Sequence, residues 1–481
     1  MLLALLLALT MDPAASDSAI TTTTTTTTPT TATTATTTTP AEPVTADTPQ
    51  AVGLVLPTVL PKAEPLRALR FVWRDHPSLR GGRNFRLDFS VKVQEDARDP
   101  GDDPIDFPTW ELHRLRAGVD GEIFRRLQFS VEREFSENLN NDPTRKSTKS
   151  QWKDVYAEWV ATDWMQIRGG QFKIPYGLDQ TSGETNLDFV YRSLGGDYIS
   201  PGRDVGGEVH GRFFKRGLNY WAGGFRHDGQ NSRSSRTVGN EEVTVGEAGF
   251  TVGGRVTALV LRRYGPTFLK GAELGGSYAQ GNVSDEGFLP NGLRARTVVT
   301  QHTYFERMFV NGPRKRYGTD LEWVYGPAGA RAEYMFVTDA RDNQGLGDED
   351  LSDIRGKAWY VEGAWVVTRE KLERPIEPRK GGLGLGGFGA VMFSVRFDKL
   401  GFDSKQGQDP PFRNTRAETV FPSFDSVWTA GFTYRANRWV KIQGNAIHES
   451  LSDIERAPKA ADTDIPIPKF WSYVLRFQFE I

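Results

Sequence analysis

Cysteine is absent from the 481 residues, and histidine and methionine occur six times each. Without thiols there is no disulfide scaffold, no thiolate zinc site and no cysteine nucleophile. The six histidines (His76, His113, His210, His227, His302 and His448) are scattered, and no HExxH motif or i, i+4 pair occurs, so nothing implies a metal or another cofactor. No G-x-S-x-G elbow is present. Long apolar runs are also lacking. The mean hydropathy of −0.48 excludes a polytopic helical membrane protein, which needs repeated stretches of about 20 apolar residues. Net charge is nearly absent, with 59 Lys+Arg against 61 Asp+Glu, so there is no footprint for nucleic acid. Residues 1–70 hold three bases and five acids, which leaves the rest of the chain balanced at 56 of each. Any ion preference must come from where the charges point.

The N-terminus is low in complexity. Leu2 to Leu9 is an apolar run followed by small residues around Ala14-Ala15-Ser16, which reads as a secretory signal over residues 1–20. It lacks the usual basic residue ahead of the apolar run. A Thr tract follows from Thr21 to Thr39, broken only by Pro29, Ala32 and Ala35, and proline-rich spacing continues to Pro65. Such a segment cannot offset its ordering entropy, so residues 21–70 read as a disordered Thr/Pro-rich extension with the reach to touch the cell wall. Inert low complexity is the alternative reading.

From Asn84 onward the pattern has period two. Phe85, Leu87, Phe89, Val91 and Val93 alternate with Arg86, Asp88, Ser90 and Lys92, and the final stretch Trp471, Tyr473, Leu475, Phe477, Phe479 and Ile481 alternates with Ser472, Val474, Arg476, Gln478 and Glu480. Further runs are Leu321-Trp323-Tyr325, Val391-Phe393-Val395-Phe397 and Trp428-Ala430-Phe432-Tyr434. Charged groups sit mid-strand on the second face, as expected of a membrane barrel with a polar lumen. Trp159, Trp164, Tyr220, Trp221, Trp323, Tyr325 and Trp439 suit interfacial girdles. Connections alternate short (Gly121–Arg126, Thr162–Trp164, Phe214–Gly217, Leu261–Thr267, Pro327–Gly329, Ala436–Arg438) and long (among them Ile174–Asp204, Gly281–Arg316 and Asp339–Gly356). One overlong connection, Arg369–Gly386, falls where a short turn is due. The count predicts an all-β fold: a closed antiparallel transmembrane β-barrel of sixteen strands over residues 71–481.

The stretch from Asp154 to His210 reads DVYAEW, MQIRGGQFKIPYGLDQTSGETNLDFVYRSL and ISPGRDVGGEVHG. It resembles the phosphate-selective porin O and P family, with its GQFKxPFG-like segment, the following R-S-L and a P-G-R-D turn. WYVEGAWVVTREK (Trp359 to Lys371) and DLEWVYGPAGARAEY (Asp320 to Tyr334) agree with later family segments. The resemblance implies a homotrimeric channel in the bacterial outer membrane, seated in lipid, that passes small anionic solutes past inward-folded loops. It implies that Arg116 opens the second strand from the lumen side, that Arg126 is a basic position opening the third, that Asp154 lies opposite the central site, and that Arg192 precedes the S-L pair. It places Lys173 and Arg203 near the constriction, and the strand alternation puts Arg168 in the lumen. Gln180 departs from the family, which has a lysine here at the centre of its phosphate site, and Glu184 adds a negative charge nearby. The resemblance therefore implies modest anion preference with weak phosphate affinity.

Other features have plainer readings. The GxGxxG match at Gly384, Gly386 and Gly389 lacks the strand-then-helix context of a nucleotide loop and reads as a turn. The basic pairs Arg125-Arg126, Lys215-Arg216 and Arg262-Arg263 read as solvated turn residues, or as a rim that attracts anions. Lumen arginines such as Arg86, Arg116, Arg168 and Arg396 can pair with Asp88, Asp120, Glu132 and Glu158 and merely stiffen the wall. A weakly selective general porin and a non-conducting envelope protein remain alternatives to an anion channel. No feature points to an enzyme.

Overall fold

The computed structural model describes residues 69–103, 108–136, 151–232, 234–238, 241–245, 249–284, 290–404, 416–460 and 464–481. The signal-like run and the Thr/Pro-rich extension up to residue 68 lie outside the described residues. Sixteen strands form one antiparallel wall: β1 (Phe85–Asp99), β2 (Trp110–Ile123), β3 (Leu127–Glu134), β4 (Trp152–Thr162), β5 (Met165–Lys173), β6 (Arg203–Phe213), β7 (Leu218–Phe225), β8 (Thr251–Ala258), β9 (Glu273–Val283), β10 (Gly312–Tyr325), β11 (Ala328–Arg341), β12 (Leu351–Val366), β13 (Ala390–Ser404), β14 (Ser423–Arg435), β15 (Val440–Leu451) and β16 (Lys469–Glu480). Each strand pairs with the next, and β16 returns to β1 from Tyr473↔Asp99 to Glu480↔Lys92. Closure leaves no wall strand with an open edge, which a spanning sheet requires.

The alternation decides the two faces. In β16, Trp471, Tyr473, Leu475 and Phe477 are exposed, whereas Ser472, Val474, Arg476 and Gln478 are buried. In β13 and β14 the outward residues are Phe393, Val395, Trp428 and Phe432, and Ser394, Arg396, Asp398, Thr429 and Thr433 point inward and are buried. The outer face is thus an apolar band and the inner face a polar lining. Trp159, Trp164 and Tyr325 stand exposed on the band as expected. Trp221 does not. It neighbours Tyr220, and two consecutive strand residues cannot share a face. Trp221 instead lines the lumen, opposite Arg255 in the ladder.

Several boundaries differ from the sequence reading, and two stand out. The ladder between β11 and β12 continues through the expected loop Asp339–Gly356, to Arg341↔Leu351. Backbone pairing persists there although the side-chain alternation fades. The connection after β8 runs over residues 259–272 with a 3₁₀ turn at Thr267–Leu269, so it is not a tight turn. At the short turn after β2, Phe124 and Arg125 take left-handed φ values of 53° and 59°, which match the twist of hairpin strands.

Ahead of β1 lies a hairpin that the sequence analysis does not foresee, because PSLRG has no alternation. Its strands are Arg70–Trp73 and Pro77–Gly81. The second pairs with β1 from Ser78↔Asp88 to Gly81↔Phe85. That is the part of β1 beyond the chain end, where Val91 and Ile481 exchange backbone hydrogen bonds at 3.1 and 3.0 Å. The hairpin tip is tied to the β14–β15 turn: the Trp439 indole donates to the Asp75 carbonyl (2.7 Å) and Arg438 pairs with the Asp75 carboxylate.

Much of the apolar packing inside the barrel comes from two long connections. Tyr176, Val190, Leu194 and Ile199 of one, and Leu293, Val298, Tyr304, Phe305 and Met308 of the other, form one buried cluster with inward residues of the wall.

Candidate functional site

Residues 174–202 leave β5 and cross the lumen. Pro175 and Gly177 end the strand, and two short helices follow, Leu178–Thr181 and Leu194–Tyr198, with a 3₁₀ turn Glu184–Asn186 between them. Gly177 has φ +73°, and a Cβ there would lie 2.6 Å from Glu333 Oε1, so only glycine fits. This close approach lets the Leu178 and Asp179 N–H groups donate to the Glu333 carboxylate at 2.8 and 3.1 Å. Ser193 caps the second helix: its hydroxyl accepts from Gly196 N–H and donates to Asp179 (2.9 Å).

The far wall holds the loop along its length. Tyr176 donates to Tyr317 O (2.8 Å), and Arg316 donates to Ile199 O (2.7 Å). Val190 N–H donates to Asn445 (2.8 Å), while Arg476 donates to Val190 O (2.8 Å). Leu194 N–H donates to Asp398 (2.6 Å), and Lys441 donates to Thr185 O (2.7 Å). Four backbone groups of the loop that would otherwise be orphaned in the lumen thus meet charged partners, and such bonds contribute roughly 1.5–3 kcal/mol each.

Toward β1–β8 the loop stands off the wall and leaves a cavity of about 430 Å³. Its charged lining is Lys92, Arg114, Arg116, Arg168, Lys173, Arg203 and Arg255 with Glu132, Asp154, Glu184 and Glu208, and Tyr156, Phe172 and Trp221 add aromatic surface. A second cavity of about 530 Å³ lies on the other side of the loop, lined by Ser182, Asn186, Glu273, Glu322, Arg331 and Arg374, among others. Gly183 lines both cavities, so the loop is thinnest there.

Of the expected site residues, the structure brings Arg116, Asp154, Arg168, Lys173 and Arg203 into the first cavity. Arg203 forms a two-pronged pair with Asp154 (3.1 and 2.8 Å), and Arg168 donates to Glu158 (2.7 Å) while lying over the Tyr156 ring. Arg116 donates to Glu134 (2.6 Å) and Glu132 (3.1 Å). Lys173 caps the loop backbone through Gln180 O (2.6 Å) and Ser182 O (2.8 Å). Arg192 is buried behind the loop, donating to the carbonyls of Asp179 and of Ser182 (2.9 Å). Gln180 is buried beside it, outside the cavity lining. Arg126 does not join the others: it stands exposed in the turn before β3. Lys215, Arg216, Arg262 and Arg263 are likewise exposed at short-side connections.

Sequence reasoning missed Arg114, Arg255, Glu208 and Trp221 as lining residues. Period two reports the face of a residue but not its depth, and depth decides which inward residues meet the loop. Glu184 is the loop carboxylate nearest the arginines: Arg114 is its closest partner, with Arg116 at 3.3 Å and Arg192 at 3.8 Å. Burial alone would raise this carboxyl. The guanidinium groups of Arg114, Arg116 and Arg192 override it and hold Glu184 well below the usual carboxylate range.

A closed sixteen-stranded barrel with an apolar outer band, a charged interior and a loop folded across its lumen is an outer-membrane channel rather than an enzyme. The chain belongs to the phosphate-selective porin O and P family, which matches residues 81–481. It is a porin of the bacterial outer membrane. Structurally similar proteins include the anion-selective porin from Comamonas acidovorans (12% identity, 82% of this chain and 100% of that one, TM-score 0.49). The trimer form of OmpT, an outer membrane protein of Vibrio cholerae, is 12% identical over 83% of this chain and 100% of its own (TM-score 0.49). The outer membrane channel DcaP of Acinetobacter baumannii is 10% identical over 83% and 98% (TM-score 0.46). No curated protein sequence matches this chain significantly.

Proposed function

We propose that this porin passes small anions by diffusion and favours oxyanions of the phosphate type without binding them tightly. One observation carries the reading: seven cationic side chains face four carboxylates around the 430 Å³ cavity, in a barrel whose charges balance overall. Low-dielectric walls around such an excess focus the field and raise the local anion concentration. Guanidinium and ammonium groups offer several N–H donors in place of the water that an anion gives up. Weak affinity follows from Gln180, which brings no charge, and from the pairing of Arg116, Arg168 and Arg203 with wall carboxylates. The same pairing favours a second reading, a general porin with slight selectivity. The family further suggests a homotrimer, with the apolar band partly against lipid and partly against sister subunits.

Recording in a planar bilayer under a salt gradient tests the reading. A reversal potential on the anion side, with millimolar phosphate partly blocking chloride current, is expected. A potential near zero with no phosphate effect selects the general porin. A cation-side potential rejects the anion reading, and absence of current rejects a channel.

A further inference from the structure

We propose that Arg114, Arg116 and Arg192 form an oxyanion site that the chain's own Glu184 carboxylate occupies, so that a solute binds by displacing a tethered competitor. The inference rests on the anion-channel reading and adds to it what limits affinity. Its basis is convergence. Two arginines of β2 and one from the lumen loop aim guanidinium groups at a single carboxylate, with Arg114 nearest, Arg116 at 3.3 Å and Arg192 at 3.8 Å. These are separate parts of the chain, and nothing in strand pairing requires them to meet.

Glu184 meets all three arginines as an ion pair, and each arginine also has hydrogen-bond partners of its own. Its Oε2 is buried and lies within ion-pair distance, yet it makes no hydrogen bond of acceptable geometry. The other partners are well formed. Arg116 Nε donates to Glu134 at 2.6 Å and its Nη1 to Glu132 at 3.1 Å. Arg114 donates to Gln94, and Arg192 donates to two loop carbonyls. All of these survive if Glu184 swings away, so its departure leaves no arginine orphaned. The departing carboxylate has somewhere to go, because it lines the open cavity and follows Gly183, which has no side chain to block it. The arginines hold Glu184 ionised, so the competitor stays charged at neutral pH.

The ligand class follows from what sits there now. A carboxylate presents two oxygens on one edge, and a phosphate, sulfate or small carboxylate does the same. Arg114 and Arg116 share Oε2 while Arg192 lies by Oε1, so a single-atom anion such as chloride can meet the first two but not all three as a carboxylate does. The site therefore discriminates by the number of oxygens as well as by charge.

Sulfate block of chloride current tests this, because sulfate keeps its double charge between pH 5 and 8. In Glu184→Gln the half-blocking sulfate concentration is expected to fall about tenfold or more, the effect of returning one charged partner to the solute. Glu132→Gln removes the same unit of charge from the same cavity and frees one of Arg116's wall partners but leaves the tethered ligand in place, so it should strengthen block by a clearly smaller factor. Adding Arg114→Gln to Glu184→Gln should abolish the gain. Heat-modifiable migration identifies variants that have folded, and Glu184→Asp, one methylene shorter, serves as a milder second variant with an intermediate gain. An anion-selective channel whose block is unchanged in both Glu184 variants overturns this proposal alone. Equal gains in the Glu184 and Glu132 variants also overturn it, since they reduce the effect to net field. A cation-selective wild type overturns the underlying reading instead.

Discussion

The two sides of the lumen use charge differently. Against β9–β16 the crossing loop is pinned, although a cavity remains beside β9–β11: Glu333, Asp398, Lys441 and Arg476 all spend hydrogen bonds on its backbone. Against β1–β8 the loop stands off, and Lys92, Arg116, Arg168 and Arg203 pair only with side chains around an open cavity. The same residue types on the same inward face therefore hold the loop on one wall and, Lys173 apart, line open space on the other. What separates them is whether a backbone donor or acceptor of the loop lies within reach. A charged residue in a barrel lumen cannot be assigned a transport role from its orientation alone.

Damage to the pinning wall should cost stability first and selectivity second. The largest effect is expected from Arg316→Ala. Arg316 is fully buried, holds the loop at Ile199 and forms a two-pronged pair with Asp228, which would keep only Arg314. Removing one member of such a buried network typically costs about 3–5 kcal/mol. The temperature at which the folded band is lost on heat-modifiable gels should drop clearly. Arg374→Ala comes next. This residue of the long connection after β12 donates to Asp188 (3.0 and 3.1 Å) and Glu322 (3.1 Å), pinning the loop from the other side. Its loss should cost about 1–3 kcal/mol and raise both conductance and current noise, with little change in reversal potential. A silent Arg374→Ala channel would mean that the strut bears no part of the loop's rigidity.

Changes at the open wall should move selectivity and leave stability nearly intact. Gln180→Lys is expected to strengthen phosphate block by about tenfold or less. The gain is limited because position 180 is buried and its carbonyl already receives the Lys173 ammonium, so the new charge meets a like charge. Acid should act through Glu184. Its carboxyl is held below the ordinary range, so it stays ionised as pH falls through that range and protonates only further down. Sulfate block should therefore be flat from pH 8 to 5 and strengthen only in stronger acid. A rise centred on the usual carboxylate range would place the titrating group elsewhere. The smallest effect is expected from Arg126→Gln, since an exposed turn charge is screened within about 8 Å at physiological salt. Any shift in reversal potential should appear only at low ionic strength.

The wall was legible in the sequence because its rule is local. Period two places Ser472, Arg476 and Gln478 inside and Trp471 and Phe477 outside, without knowledge of any neighbour. Assigning Tyr220 and Trp221 to one girdle broke that rule, and Trp221 proved to face the lumen. The site was legible only in part, because its decisive contacts are distant in sequence. Asp188 meets Arg374 across 186 positions and Val190 meets Asn445 across 255. The family pattern gathered Arg116, Asp154, Lys173 and Arg203, and alternation supplied Arg168. Neither could say that Arg114 lies nearest Glu184, since that depends on how deep the loop sits.

The hairpin below β16 bears on the order of assembly. It extends the sheet beyond Ile481, and its tip is fastened to the turn that starts β15. Residues made near the beginning of synthesis thus find their second anchor only among residues made near the end. Contacts of such long sequence span are slow to form. The seam should be the last part of the wall to gain protection from hydrogen exchange during refolding, and Asp75→Ala should delay that step while leaving protection of β5–β12 on its normal schedule.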